Sequence, residues 1–222
     1  MTIDLVRMAL SRERGEDADA VTERILDAAL GQFEDFGLRR STMEDIARRC
    51  GLSRITIYRR FPKKDDLVGA VVLRELHTFL EDLVKVGEAL ATPEDRMIER
   101  VAFALHYLRG HSLLRRLLRT EPEAILPALT VGGGPVVDMA REHSAAFIRK
   151  DLFGGQAPPA GAERHIQTVA ELGVRIVLSF ILTPSSAIPM DTLDEVRAFA
   201  RELIAPVQAG LLAAMTAAGD RQ

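Results

Sequence analysis

The segment from residue 41 to residue 67 constrains the fold most, because its local signals place two short helices on either side of a glycine turn. Thr42 and Asp45 stand three residues apart, the spacing of a capping box at the start of a helix. Apolar residues then recur at helical spacing as far as position 50. Gly51 follows, at the place where a helix ends in a residue of left-handed conformation. We therefore expect the first helix of a helix-turn-helix here.

The second helix of this pair has a cap, a stop and two different faces. Ser53 is a suitable N-cap, and Pro62 ends the helix because the residue before a proline avoids the helical conformation. At about 100° per residue, Ile57 and Phe61 point to one side of this helix. The opposite side carries Ile55, Thr56 and Arg59. The second helix of a helix-turn-helix enters the major groove of DNA, so this opposite side is the predicted reading face.

The charge of this segment differs from that of the whole chain. Residues 39–64 contain nine Lys or Arg and two acidic residues, a local formal charge of +7, whereas the 222-residue chain carries −3. A basic patch on an acidic protein is typical of phosphate binding. The alternative is a solvated basic face on a small helical hairpin, and the capping and turn signals favour the first interpretation.

The rest of the chain is predicted to be helical. Helix-favouring Ala, Leu, Arg and Glu dominate, and no run of alternating β-branched residues predicts a strand. We predict an all-α fold with further helices at about 21–36, 63–86, 93–108, 112–119, 136–152, 163–182 and 192–217. Prolines at 122 and 127 and glycines at 132–134 predict irregular structure between 119 and 136, and Pro206 predicts a kink in the last helix.

The N-terminal residues and the cysteine content indicate where in the cell the protein is expected. Residues 1–18 are charged and lack periodicity, which predicts a flexible N-terminal arm rather than a signal peptide. Cys50 is the only cysteine, so the chain cannot form an internal disulfide, and a cytoplasmic location is expected. Cys50 itself is either a small buried hydrophobic residue that closes the first helix or a redox-sensitive thiol beside the reading helix.

Five pieces of the sequence together resemble the DNA-binding signature of the TetR family of transcriptional regulators. They are residues 21–29 with 36–37, 42–47, 51–53, 56–58 and 61–67. The resemblance covers about a quarter of the chain. It implies a homodimeric one-component regulator, by default a repressor, that binds a palindromic double-stranded DNA operator and is released by a small-molecule effector. It also implies a helix-turn-helix DNA-binding domain at 19–64 and a ligand-binding and dimerisation domain at 65–222.

The resemblance assigns roles in DNA binding. Arg54, Ile55 and Thr56 would face base edges, since arginine can contact guanine bidentately and isoleucine can pack on a thymine methyl. Five residues would contact phosphate or sugar: Thr42, Tyr58, Arg59, Arg60 and Lys64. At the Arg59–Arg60 pair the family often carries aromatic residues or histidine, so either arginine could instead reach a base.

The C-terminal part predicts a pocket and a dimer surface. Polar residues embedded in apolar runs would line a small-molecule site with aromatic neighbours, namely Phe103, His106, Tyr107, Phe147 and Arg175. Glu171 lies one turn from Arg175 and could neutralise it, which would favour a neutral effector over an acidic one. The apolar helix at 163–182 is expected to be buried in protein rather than lipid. The resemblance implies that this helix and its neighbour form the homodimer, and Ile166, Val169, Val177, Leu203 and Val207 would supply its apolar surface. The alternative is that both helices are simply part of the core of one chain.

Other classes of function have weaker support. No histidines are spaced as a metal site on a helix and no nucleophile motif occurs, so we expect neither an enzyme nor a metal or other cofactor. Two alternatives remain open. One is a dimeric DNA-binding protein without a ligand, and the other is an all-α small-molecule carrier or enzyme with an incidental helix-turn-helix.

Overall fold

The computed structural model describes residues 20–154, 156–159, 161–204, 206, 209, 210 and 213 of the chain. Within these ranges there is no β-strand, which confirms the all-α prediction, and the predicted arm at 1–18 lies outside them. The helices are α1 (Ala20–Arg40), α2 (Met43–Cys50), α3 (Arg54–Arg60), α4 (Lys64–Glu88), α5 (Pro93–Gly110), α6 (Ser112–Thr120), α7 (Pro122–Leu129), α8 (Gly134–Phe153), α9 (Ala162–Leu182) and α10 (Leu193–Phe199).

The described chain divides into two compact units. One contains the described residues up to Phe79 together with His111–Gly133, and the other contains Leu80–Gly110 and the described residues from Gly134 onward. Helices α6 and α7 therefore pack in the same unit as α1, α2 and α3. The functional boundaries predicted at 19–64 and 65–222 concern roles rather than packing, and they stay a prediction.

The first unit has one core, to which every one of its helices contributes. Ile25, Ala29 and Phe33 form the buried stripe of α1. The remaining fully or nearly fully buried apolar residues include Ile46, Ile57, Leu67, Val71, Leu113 and Leu117. Because α2 and α3 are too short to be stable alone, this shared core holds them in place.

Gly37 ends the regular part of α1, as the sequence predicted. Its φ of 82° and ψ of 173° interrupt the helix, and an L-amino acid avoids this conformation. The chain can then turn into α2 within a few residues.

His111 joins α4 to α6 in the first unit. Its Nδ1 accepts a hydrogen bond from the Leu114 amide at 3.3 Å and so caps α6. Its Nε2 lies 3.2 Å from Oε2 of Glu75 on α4, and this hydrogen bond lowers the pKa of Glu75.

The prediction of irregular structure after residue 119 was wrong at α7. Pro122 stands at the start of this helix, where its missing N–H has no helical partner in any case. Pro127 lies inside the helix, and α7 is only eight residues long. The Thr130 hydroxyl donates to the Leu126 carbonyl at 2.6 Å and satisfies one of the terminal acceptors.

The second unit is built around α5, α9 and α10. Ile98, Leu105 and Val196 are among its buried residues, and the rings of Phe180 and Phe199 meet edge to face at 5.2 Å. After Phe199 the helix widens into a π-helical turn at Ala200–Ile204. Pro206, where a kink was expected, lies just beyond this turn and has no N–H to continue the regular pattern.

A buried charged cluster lies within the second unit, and no pattern in the sequence indicated it. Arg100 of α5 is only 8% exposed and donates from Nη1 to the buried carboxylate of Asp151 on α8. Its guanidinium lies 4.4 Å from the ring centroid of Phe147 and packs against Gly87 of α4. Arg96 adds a second hydrogen bond to Asp151 at 3.3 Å. The cluster therefore joins three helices through one guanidinium.

Helix α9 differs from the prediction in which residues it buries. By length and composition alone it could cross a membrane, but the core helix of a soluble protein meets the same criterion. Ile166 and Val169, expected at a dimer surface, are 0% and 2% exposed inside the single chain, so that assignment was wrong. Val177 packs against the core of this unit, and the side chains of Leu203 and Val207 lie outside the described part.

Candidate DNA-binding surface

The start of α2 has the predicted capping box. The Asp45 amide donates to Oγ1 of Thr42 at 3.1 Å, and the Thr42 amide donates to Oδ2 of Asp45 at the same distance. The Thr42 hydroxyl also donates to Oδ2 of Asp45 at 2.6 Å, and this bond, together with the one from the Thr42 amide, lowers the pKa of Asp45. Gly51 ends the helix with φ of 64°, the left-handed conformation expected there. The local sequence therefore fixes both ends of α2.

The predicted reading helix α3 presents the expected face to solvent. Ser53 caps it by accepting the Thr56 amide at 3.1 Å. Ile57 is fully buried, whereas Ile55 is 80% exposed and Tyr58 is 44% exposed. The Ile55 side chain is therefore available for contact with a base methyl.

Arg54 and Arg59 lie on the surface, and the structure gives Arg54 a partner. Nη1 of Arg54 lies 3.2 Å from Oε1 of Glu44 on α2. Arg59 is exposed, and Thr56 is half-buried on the turn that Ser53 caps.

Arg60 and Lys64 are more engaged within the protein than the sequence indicated. Nη1 of Arg60 donates to Oγ1 of Thr22 on α1 at 2.8 Å. The Lys64 ammonium donates to the Leu38 carbonyl at the end of α1, and burial lowers the pKa of Lys64. To contact a phosphate, the Lys64 ammonium must therefore either use a second N–H while it keeps its hydrogen bond to the Leu38 carbonyl, or break that hydrogen bond.

Ion pairs hold several arginines of the segment 39–64, and two of the acidic partners lie outside the segment and offset part of its +7 charge. Arg48 pairs with Asp45 inside the segment, while Arg49 pairs with Asp35 at 2.6 Å and Arg39 with Glu123 at 2.8 Å. The last two acids lie outside the segment, so counting charges along the sequence missed them.

Glu121 is a buried acid that sequence reasoning missed. It stands between α6 and α7, is 6% exposed, and accepts the Arg39 amide at 3.1 Å through Oε2. Gly37 packs closely against its carboxylate. Glu121 therefore ties the turn between α1 and α2 to the α6–α7 corner of the same unit. The partners are 82 residues apart, and no local sequence pattern marks the contact.

An open groove of about 470 Å³ lies between α1 and α2. Its walls include Arg24, Asp27 and Arg48, so charges of both signs line it. Cys50 contributes to this groove but is only 4% exposed, and its Sγ lies 3.5 Å from the Ala47 carbonyl. This burial favours the interpretation of Cys50 as a small hydrophobic residue.

The predicted effector residues are only partly brought together. The rings of Phe103 and Tyr107 lie 5.4 Å apart on α5, while Phe147 packs on the Arg100 guanidinium. His106 is exposed, and so is Arg175, whose Nη2 lies 2.7 Å from Oε1 of Glu171. The Glu171–Arg175 pair thus forms as the spacing predicted, but on the surface of the chain rather than inside it. The effector-binding role of the five residues stays a prediction.

Among the residues that the structure describes, no group of three or more His, Cys, Asp or Glu side chains could hold a metal ion.

Two family models match the chain. The model of bacterial regulatory proteins of the TetR family covers residues 25–71, and the model of the bacterial tetracyclin repressor C-terminal domain covers residues 97–202. Curated relatives include an HTH-type transcriptional regulator of Mycobacterium tuberculosis, 29% identical over 95% of both chains. Another is RutR of Escherichia coli, 31% identical over 53% of this chain and 55% of its own. These proteins are regulators rather than enzymes.

Solved structures show the same fold. The TetR family repressor AlkX from a Dietzia strain superposes with a TM-score of 0.59 at 22% identity, over 88% of this chain and 98% of AlkX. FadR from Bacillus subtilis, solved in complex with stearoyl-CoA, superposes with a TM-score of 0.52 at 15% identity, over 86% and 95% of the two chains. With the capped α2–α3 pair and both family models in agreement, the chain belongs to the TetR family of transcriptional regulators.

Proposed function

We propose that this regulator binds a palindromic operator as a homodimer through α3, represses transcription there, and leaves the DNA when a small molecule binds. The observation that carries the DNA-binding part is the exposed face of α3, where Arg54 and Ile55 project from a helix whose other face is fixed in the core. A rigid helix with an exposed arginine and an exposed apolar residue matches the chemistry of base readout in the major groove.

The proposed DNA contacts fall into two groups. Arg54, Ile55 and Thr56 read base edges at the start of α3. The phosphate and sugar contacts come from Thr42, Tyr58, Arg59, Arg60 and Lys64. Arg60 and Lys64 exchange part of their internal hydrogen bonding for phosphate when DNA binds, because a phosphate is a stronger acceptor than a hydroxyl or a backbone carbonyl.

The homodimer is proposed to form through α9 and α10. Within one chain, α9 buries Ile166 and Ala170 but leaves its opposite side open to solvent. Leu172 is 43% exposed at the centre of the helix, with exposed Thr168 and Ser179 on the same side. Gly173 has open space around its Cα, which lets a second helix approach closely. A two-fold dimer of this kind reads an inverted repeat.

The effector is proposed to bind in the C-terminal helical domain, at 65–222, with Phe103, His106, Tyr107, Phe147 and Arg175 nearby. The stearoyl-CoA in the neighbouring FadR structure supports an effector with a large apolar part. The pairing of Arg175 with Glu171 removes one motive for an acidic group on that effector. As a DNA-bound repressor the protein would act in the cytoplasm.

A selection experiment tests the DNA-binding proposal. The full-length protein is incubated with a library of random duplexes at physiological salt, and bound DNA is recovered and sequenced. We expect an inverted repeat whose half-site centres lie about one helical turn, roughly 34 Å, apart. Recovery of unenriched DNA would contradict the proposal.

A melting experiment separates repression with an effector from the ligand-independent alternative. A panel of apolar compounds, including fatty acids and their neutral esters, is screened for a rise in melting temperature. A stabilising compound that also releases the selected duplex supports the proposal. A compound that stabilises without releasing DNA argues against the switch.

A further inference from the structure

Glu44 and Arg54 form an ion pair between the two helices of the helix-turn-helix. Nη1 of Arg54 lies 3.2 Å from Oε1 of Glu44. Glu44 is the second residue of α2, and Arg54 is the first residue of α3. Both backbones are fixed, α2 by its capping box and α3 by the Ser53 cap. The ion pair therefore joins two side chains whose starting points are rigid.

Stability does not account for this pair. The side chains are 34% and 67% exposed, and an exposed ion pair of this type contributes little to folding, commonly less than about 1 kcal/mol. A carboxylate next to a DNA-reading arginine also repels phosphate, so it opposes binding to DNA in general. The helix dipole favours an acid in the first turn of α2, but it does not account for the contact of Glu44 with Arg54.

We propose that Glu44 determines specificity by positioning Arg54 for one base pair, an inference that rests on the proposed DNA-binding function. Arginine has five N–H donors on a planar fork. Glu44 engages one edge through Nη1 and restricts the orientation of the fork, while the remaining donors are available to the O6 and N7 acceptors of a guanine. The side chain then enters the groove already oriented.

The Glu44 carboxylate also lowers the affinity for duplexes that lack the preferred base pair. On every duplex, Glu44 brings a negative charge towards the DNA. Only where a guanine meets the oriented Arg54 does the bidentate contact offset this repulsion. Specificity is the difference between the affinity for the preferred duplex and the affinity for other duplexes. Glu44 weakens binding to all of them, but only the preferred duplex regains affinity through the oriented Arg54, so the difference increases.

Asp35 supplies a matched control. It lies on α1, is 53% exposed, and pairs with Arg49 at 2.6 Å. Asp35→Asn removes one negative charge from the same basic region, as Glu44→Gln does, but it does not touch Arg54. General electrostatic effects on DNA affinity appear in both variants, whereas an effect on orientation appears only in Glu44→Gln.

The experiment measures a discrimination ratio. The duplex selected by the wild type is compared with a duplex in which the base pair that depends on Arg54 is replaced; Arg54→Ala identifies that pair. We expect Glu44→Gln to bind the replaced duplex several-fold more tightly and to lower the ratio by roughly five- to tenfold, within the range of one bidentate base contact. Asp35→Asn should tighten both duplexes alike and leave the ratio unchanged.

The double variant Glu44→Gln/Arg54→Ala completes a cycle. In the Arg54→Ala background, Glu44→Gln should change the ratio by less than about twofold, since there is no guanidinium left to orient. A ratio unaffected by Glu44→Gln in the wild-type background overturns the positioning role. An equal effect in both backgrounds also overturns it, because Glu44 would then read a base directly. If the wild type shows no preferred duplex at all, the proposed function fails and this inference fails with it.

Discussion

Replacing Gly37 with alanine tests the account of how α1 meets α2. At φ of 82° and ψ of 173°, this residue occupies a region that is essentially restricted to glycine, and a side chain there costs about 1–3 kcal/mol. An alanine Cβ would also lie 2.0 Å from Oε1 of Glu121, far inside contact distance. The Glu121 carboxylate must then move away from the Arg39 amide.

The two effects add to a substantial destabilisation. Losing the part-buried hydrogen bond from the Arg39 amide costs about 0.5–1.5 kcal/mol more. The total for Gly37→Ala is therefore about 1.5–4.5 kcal/mol, which lowers the melting temperature by roughly 3–18 °C for a chain of this size. Differential scanning calorimetry and urea unfolding both measure this change.

Two further variants separate the causes. Gly110→Ala is the control: Gly110 ends α5, an alanine Cβ there would meet no atom within 4 Å, and we expect a change within about 1 kcal/mol. Glu121→Ala removes the carboxylate that collides with the new methyl group, so the double variant with Gly37→Ala should cost less than the sum of the single variants. A Gly37→Ala protein as stable as the wild type would show that neither the backbone conformation nor the Glu121 contact restricts this position.

Three other changes have defined outcomes. The hydrogen bond to His111 holds the pKa of Glu75 below the usual 4.5. On acidification the unfolded chain therefore takes up a proton at Glu75 before the folded chain does. The stability that this hydrogen bond contributes near neutral pH is then lost. Glu75→Gln should therefore flatten the fall of unfolding free energy as the pH drops below about 5, measured by urea titration. Gly87→Ala places a Cβ 2.5 Å from Nη2 of Arg100 and should destabilise the protein by about 1–3 kcal/mol in the same assay; no change would contradict the buried cluster. Leu172→Glu should convert the proposed dimer into a 24.4 kDa monomer in light scattering, whereas Leu126→Glu, at a leucine of similar exposure on α7, should leave the proposed dimer intact. A dimer that survives Leu172→Glu would place the interface elsewhere.

The helix-turn-helix could be predicted because its determinants are local. Thr42, Gly51 and Ser53 each act on backbone groups within three or four residues, so the sequence specifies the caps and the turn directly. The exposed face of α3 follows from helical periodicity alone, and Ile55 lies on it as expected. The same reasoning located the end of regular helix at Gly37.

Tertiary contacts between distant residues could not be predicted in this way. Glu121 accepts from an amide 82 residues away, and Arg100 meets a carboxylate 51 residues away. Periodicity assigned Ile166 and Val169 to an apolar stripe, but it does not distinguish the side that packs inside the chain from the side that faces a partner. From the sequence alone, Pro122 indicates a break between helices. Proline is also tolerated at the first position of a helix, and the sequence does not distinguish that position from a loop.

The exposed face of α3 is proposed to read a DNA sequence. The most direct measurement is the affinity of the full-length protein for its selected duplex and for a scrambled duplex of equal length and composition, at one physiological salt concentration. We predict a preference of about a thousandfold or more, lost in large part in an Arg54→Ala, Ile55→Ala double variant that melts like the wild type. Equal affinities for the two duplexes in the wild-type protein would show that α3 does not read a base sequence.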